Sequence, residues 1–214
     1  MNIAIIGAGD VGATMGKSWA RKGHQIMFGV RNTQSPKVSS LLKISNANIK
    51  VGTVSEAVSF AEVIILAVPW SAVKEIIASA GDLTGKILVD PTNPLTSDMK
   101  GMVTEPFTSA AEEIAKLAPK SKVVKAFNTV GIKVLNNMIF GTNKADVFIC
   151  GSDLKSRNAV KKLATDLGFQ VVDVGPLSNA RLIEQLALLW IELAYRQEMG
   201  PNIAFKLLTR ADEM

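Results

Sequence analysis

Short runs of β-branched and apolar residues recur along the chain, separated by longer stretches in which apolar positions return every three or four residues. The runs predict strands over residues 2–6, 25–28, 50–51, 63–68, 87–90, 123–126, 146–149 and 170–174. Most are rich in Val and Ile and bounded by Gly, Pro or Asn, as strands covered on both faces are. The periodic stretches predict helices over 11–22, 37–43, 54–60, 71–79, 109–117, 155–167 and 179–198. A last short helix is expected over 201–208, with Pro201 in its first turn. Gly23 and Gly168 stand where helices end in a left-handed residue. Strands alternating with helices predict an α/β fold of Rossmann type: a mainly parallel sheet with crossover helices and C-terminal helices. The least regular stretch, 93–107, follows the fifth strand, at the end of the sheet where α/β proteins bind ligands.

The turn after the first strand reads Gly7-Ala8-Gly9-Asp10-Val11-Gly12. This is the G-x-G-x-x-G pattern between a strand and a helix, and that context makes it specific. Gly7 makes the tight turn, Gly9 lets a diphosphate approach the backbone, and Gly12 lets helix and strand pack closely. The opening helix then offers free N–H groups and the positive end of its dipole to the phosphates. Asp10 is an awkward neighbour for a diphosphate; it is expected to cap the helix and point away.

The second strand ends Phe28-Gly29-Val30-Arg31-Asn32-Thr33, with no acidic residue to bind a ribose 2′-hydroxyl. Arg31 lies about 20 residues beyond the glycine motif, where a guanidinium grips a 2′-phosphate. Val30, Asn32, Thr33 and Lys37 complete that expected subsite, and the cofactor is expected to be NADP(H). Ala67-Val68-Pro69 closes the fourth strand beside the expected ribose and nicotinamide. Asn93 and Asn128, with Thr129, follow the fifth and sixth strands, and amides there suit a carboxamide or a carbonyl; ordinary loop chemistry explains them equally well. Trp70 reads as core or as a stacking surface for a flat substrate. His24 reads as a solvated turn residue. No catalytic residue and no metal ligand is assigned.

Composition narrows this picture a little. With 214 residues, a single domain is expected over 1–214, its 178–214 segment completing the cleft or a dimer interface. A net charge of +5 suits a binder of anionic nucleotides, and without a nucleic-acid-binding signature no nucleic-acid partner is expected. The single cysteine, Cys150, sits in an apolar run and reads as a buried thiol. No signal-peptide pattern opens the sequence, and the apolar stretch 186–193 is too short for a bilayer, so no membrane and a cytoplasmic location are expected.

Together these segments resemble the NADPH-dependent reductases of coenzyme F420, a deazaflavin. The likeness rests on Gly7-Ala8-Gly9-Asp10-Val11-Gly12 with Ala13-Thr14, on Gly29-Val30-Arg31, and on Ala67-Val68-Pro69-Trp70. It continues through Asp90-Pro91-Thr92-Asn93-Pro94, Val124-Lys125-Ala126-Phe127-Asn128-Thr129 and Asp173-Val174-Gly175-Pro176-Leu177. The resemblance implies a homodimer, with a small-molecule redox acceptor, coenzyme F420 or a flavin, as second substrate. It also implies direct hydride transfer between two flat rings, for which no dedicated acid or base is needed. Such domains are similar, too, to the reductase portion of membrane ferric reductases, which pass hydride to a flavin. Two alternatives stay open. One is a dehydrogenase or imine reductase of a small substrate, which usually needs a larger helical second domain. The other is a non-catalytic NADP(H)-binding redox sensor.

The late helix carries Leu182, Leu186, Leu189 and Leu193 at helical spacing, more apolar face than one sheet needs, and reads as buried or dimer-forming. Glu184 and Gln185 lie within it and need partners if buried.

Overall fold

The computed structural model describes residues 1–35, 38, 41, 48–105 and 107–210. The helix expected over 37–43 falls largely outside these, as does the site candidate Lys37. The strands are β1 (Asn2–Ile6), β2 (Gln25–Gly29), β3 (Ile49–Gly52), β4 (Val63–Leu66), β5 (Ile87–Asp90), β6 (Lys122–Lys125), β7 (Ile139–Phe140), β8 (Asn143–Lys144), β9 (Asp146–Gly151) and β10 (Gln170–Pro176). The helices are α1 (Asp10–Arg21), α2 (Val54–Phe60), α3 (Trp70–Ser79), α4 (Ala110–Leu117), α5 (Ile132–Asn136), α6 (Leu154–Leu167) and α7 (Ala180–Ile191). A 3₁₀ turn precedes α7 and a π-helical turn, Glu192–Arg196, follows it.

The main sheet is 8-stranded in the order β10-β9-β6-β5-β4-β1-β2-β3, with β7 and β8 forming a separate small hairpin. Strands β1 to β6 are parallel and give the Rossmann order. The pair β9 and β10 is parallel within itself but antiparallel to β6, through Val124 opposite Gly151 and Lys125 opposite Cys150. The period of two in a strand sorts the core. Ile3 and Ile5 meet Met15, Trp19 and Phe28 on the α1 face, while Ala4 and Ile6 meet Ala57, Val58 and Val73 on the other. The Trp19 indole donates to the Leu163 carbonyl at 2.9 Å, pinning α1 to α6.

Several expectations are corrected. The strand expected over 63–68 ends at Leu66: the amides of Ala67 and Val68 fold back onto the carbonyls of Ile65 and Leu66, and Pro69 caps α3. The helix expected over 201–208 is absent. Gly200 takes a φ of 76°, and the segment runs along the start of β9, with its backbone groups taken elsewhere. Asp146 N–H donates to the Phe205 carbonyl, Leu207 N–H to Asp146 Oδ2, and the Trp190 indole to the Ile203 carbonyl. His24 is buried rather than solvated, its Nε2 lying 3.0 Å from Asp166 Oδ2. The leucine stripe of α7 turns away from the sheet. Ile183, Ala187, Trp190 and Ile191 face inward, whereas Leu182 and Leu189 are 68% and 47% exposed. Among the described residues no helix is long and apolar enough to cross a membrane.

Candidate functional site

The β1–α1 turn sits at the C-terminal edge of the parallel strands. Gly7 has a φ of +103°, and a Cβ built on it would meet the Ala67 carbonyl oxygen at 2.4 Å, so the turn tolerates only glycine. A Cβ on Gly12 would meet the Gly7 oxygen at 2.8 Å and Ala67 Cβ at 3.0 Å, which fixes α1 close against the turn. Gly9 differs: a Cβ there would meet nothing within 4 Å. Packing does not require that glycine, and its backbone is open to approach. Gly9 is the N-cap of α1, and no side chain caps the helix, whereas Thr53, Ser109 and Asp153 cap α2, α4 and α6. Asp10 is therefore not the expected cap. It is the first helical residue, exposed, with its carboxylate near the positive end of the helix dipole.

Two clefts flank this turn. The first, about 340 Å³, is lined by Gly7, Ala8, Val30, Arg31, Asn32, Val68 and Pro69, together with Val54, Glu75 and Ser79. The second, about 350 Å³, is lined by Gly9, Asp10, Val11, Gly12, Ala67, Val68 and Pro69, with Leu66 and Pro91. The structure thus gathers the glycine motif, the end of β2 and the end of β4 around one turn. Thr33 is exposed and lies outside both linings. Trp70 opens α3 and packs against the core on the α2–α3 side of the sheet. These residues fit a dinucleotide: uncapped amides and an approachable Gly9 for the diphosphate, with the Arg31 guanidinium on the side of the first cleft.

Asn93 and Asn128 line neither cleft; they hold each other. Asn93 Nδ2 donates to the Asn128 carbonyl at 2.9 Å, and Asn128 Nδ2 donates to Asn93 Oδ1 at 3.0 Å and to the Ile183 carbonyl at 3.2 Å. Asn128 Oδ1 and Thr129 Oγ1 are buried without a hydrogen-bond partner, an arrangement that costs about 1–3 kcal/mol for each group. Between Lys125 and Asn128 the chain turns through Phe127, a buried residue with a φ of 67°, edge-on to Trp19. An aromatic in that conformation is strained, and such strain gathers at functional sites.

Sequence reasoning missed a buried ionic cluster beneath these loops. Lys125 is fully buried at the end of β6; its ammonium donates to Asp90 Oδ2 at 2.8 Å and to the Thr92 carbonyl at 2.6 Å. It also lies 2.8 Å from Glu184 Oε1, an ion-pair distance without hydrogen-bond directionality. Glu184 Oε2 accepts the Ala110 N–H at the start of α4, and Asp90 Oδ1 accepts the N–H and hydroxyl of Thr92. Burial works against the charge on Lys125, yet the facing carboxylates of Asp90 and Glu184 outweigh it and hold the ammonium above the ordinary lysine range. Burial raises Glu184 despite Lys125. Burial also pushes the Cys150 thiol up to about 12, so that thiol is not a nucleophile. A charged residue inside the apolar run Val123-Val124-Lys125-Ala126-Phe127 was the signal in the sequence that a buried partner had to exist.

Comparison with known proteins agrees with this geometry. Residues 2–94 match the family profile described as NADP oxidoreductase, coenzyme F420-dependent. The chain is 30% identical over 207 residues to the F420-dependent NADP reductase of Methanothermobacter marburgensis, covering 90% of this chain and 92% of that one. It is 33% identical over 186 residues to rat Metalloreductase STEAP3, covering 87% of this chain but spanning only 36% of that relative's length. A crystal structure of a candidate F420-dependent NADP-reductase from Arthrobacter sp. FB24 superposes with a TM-score of 0.87 at 28% identity, covering 98% of this chain and 100% of the other. The fold, the glycine turn and these relatives converge: the chain belongs to the coenzyme F420-dependent NADP oxidoreductase family.

Proposed function

We propose that this NADP oxidoreductase passes hydride between NADP(H) and a flat acceptor, a deazaflavin such as coenzyme F420 or a flavin. One observation carries the reading: two clefts meet at an uncapped helix start, and among the described residues the cation that lines either cleft is the Arg31 guanidinium of the first. Backbone amides of the Gly7–Gly12 turn, with Ala8, Asp10 and Val11, hold the diphosphate. Val30, Arg31 and Asn32 of the first cleft face the adenosine 2′-phosphate, and Thr33 and Lys37, which follow them in sequence, are the further candidates for that subsite. Ala67, Val68 and Pro69 wall the ribose and ring, and Asn93, Asn128 and Thr129 shape the nicotinamide end. NADPH when bound supplies the hydride; the chain binds, orients and excludes water. The names of the methanogen and Arthrobacter proteins favour coenzyme F420 as that acceptor.

Titration of wild type and Arg31→Ala with NADPH and NADH tests the cofactor site. NADPH affinity is expected to fall about 10–100-fold in the variant, the weight of a charge-assisted contact, with NADH unchanged. Equal loss for both removes Arg31 from the 2′-phosphate. Stopped-flow mixing of NADPH-loaded protein with F420 and with FMN then identifies the acceptor. We further read 1–214 as one dinucleotide-binding domain in the cytoplasm, with 178–214 completing the cleft or a homodimer interface, the latter through the outward leucines of α7.

A further inference from the structure

We propose that Lys125 is a positioning residue for the nicotinamide half of the site, acting through the Asp90-Pro91-Thr92 turn and anchored to α7 by Glu184. The inference rests on the reading that the second cleft receives that half. Pro91 forms a wall of this cleft, and the residues on both sides of it are held by one ammonium: Asp90 through Oδ2 and Thr92 through its carbonyl. Asp90 Oδ1 closes the same turn by accepting the Thr92 N–H at 2.8 Å and its hydroxyl at 2.7 Å. The turn is therefore fixed from inside by four polar contacts, in a place where neither water nor a ligand reaches Lys125. Proline has no N–H to donate, so the ties that the structure shows on this turn fall on its neighbours.

Glu184 makes the arrangement span elements. It faces Lys125 from α7 and accepts the first amide of α4, and one residue earlier Ile183 takes the Asn128 side-chain N–H. The loops after β5 and β6 are thereby tied to the same turn of α7. A lysine flanked by two carboxylates gives the cluster a formal charge of −1. Simple packing is served better by an apolar side chain of the same volume, since desolvating three ions offsets much of their attraction. What the ions supply that an apolar core does not is direction, in the orientation of the Thr92 carbonyl and hence of Pro91.

Calorimetric titration with NADPH and with 2′,5′-ADP, which carries the adenosine phosphates but no nicotinamide, separates the two halves of the site. The variants are Lys125→Met/Glu184→Gln, which keeps the buried formal charge at −1, and Thr92→Val, which is isosteric and loosens the turn alone. In the double variant NADPH is expected to bind about tenfold more weakly while 2′,5′-ADP stays within about twofold; Thr92→Val is expected to show the same split at about threefold. A purely structural cluster instead weakens both ligands together or leaves their ratio unchanged, and either result overturns the proposal. If the double variant fails to fold, Thr92→Val decides it. If 2′,5′-ADP fails to bind the wild type, the nucleotide reading itself falls, and this inference with it.

Discussion

Gly7 and Gly9 stand two positions apart and answer to different constraints. Gly7 is demanded by the fold, through its positive φ and the Ala67 carbonyl 2.4 Å from where a Cβ would lie. Gly7→Ala is expected to cost about 2 kcal/mol or more, and to lower the melting temperature by about 5 °C. Gly9 has open space where its side chain would be. Gly9→Ala should therefore melt within about 3 °C of wild type, yet bind NADPH about tenfold or more weakly. Differential scanning fluorimetry beside calorimetry reads both; a Gly9→Ala protein with intact affinity places the diphosphate elsewhere. At this scale the sequence is informative wherever the physics is local. The glycine turn and Arg31 were legible because a strand, a tight turn and a helix start leave their marks within a few residues. The His24–Asp166 and Lys125–Asp90–Glu184 contacts were not, because they join residues that only the folded sheet brings together.

Elements add the ties between helices. Arg181 at the start of α7 grips Glu112 of α4 with two hydrogen bonds, at 2.8 and 2.6 Å. The Arg181 hydrogen bonds hold the Glu112 carboxyl below its ordinary value of 4.5, and the Ser109 hydroxyl adds to the effect. A lowered folded-state pKa means that the stabilisation is present above the unfolded value and is lost as pH falls through the folded one. Thermal stability should accordingly drop on acidification below about pH 4.5, and Glu112→Gln should shift less over that interval than wild type; parallel melting curves of the two proteins against pH would remove this tie from the acid response. Burial raises Glu184, which acts in the opposite sense: its contribution declines as pH rises through its folded value. The α4 and α7 helices were readable from apolar periodicity. The segment after Gly200 misled because Pro201 followed by apolar residues resembles a helix start, while its actual partners, Asp146 and Trp190, lie far away in sequence. Helix α5 and the β7–β8 hairpin are too short to show a period.

For the whole molecule, the homodimer proposed above is expected to form through the outward face of α7. Exposed Leu182 and Leu189, flanked by Leu186 and Leu193, make an apolar stripe that a second copy can cover. Light scattering coupled to size exclusion should give a dimer for wild type and a monomer for Leu182→Lys/Leu189→Lys; a wild-type monomer would rule out this interface. The parallel direction of β1 to β6 followed from the alternation of strands and helices. The direction of β9 did not, because its reversal depends on how the chain returns through α5 and the hairpin rather than on the strand's own composition. That reversal divides the two rims of the sheet. Asp153, which caps α6, lies 3.9 Å from Lys122 at the opening of β6, on the far rim from the glycine turn. The exposed Lys155 beside it is thus an address for a fluorophore or a surface tether: chemistry attached there reports on the molecule from behind, leaving the nucleotide's side of the sheet untouched.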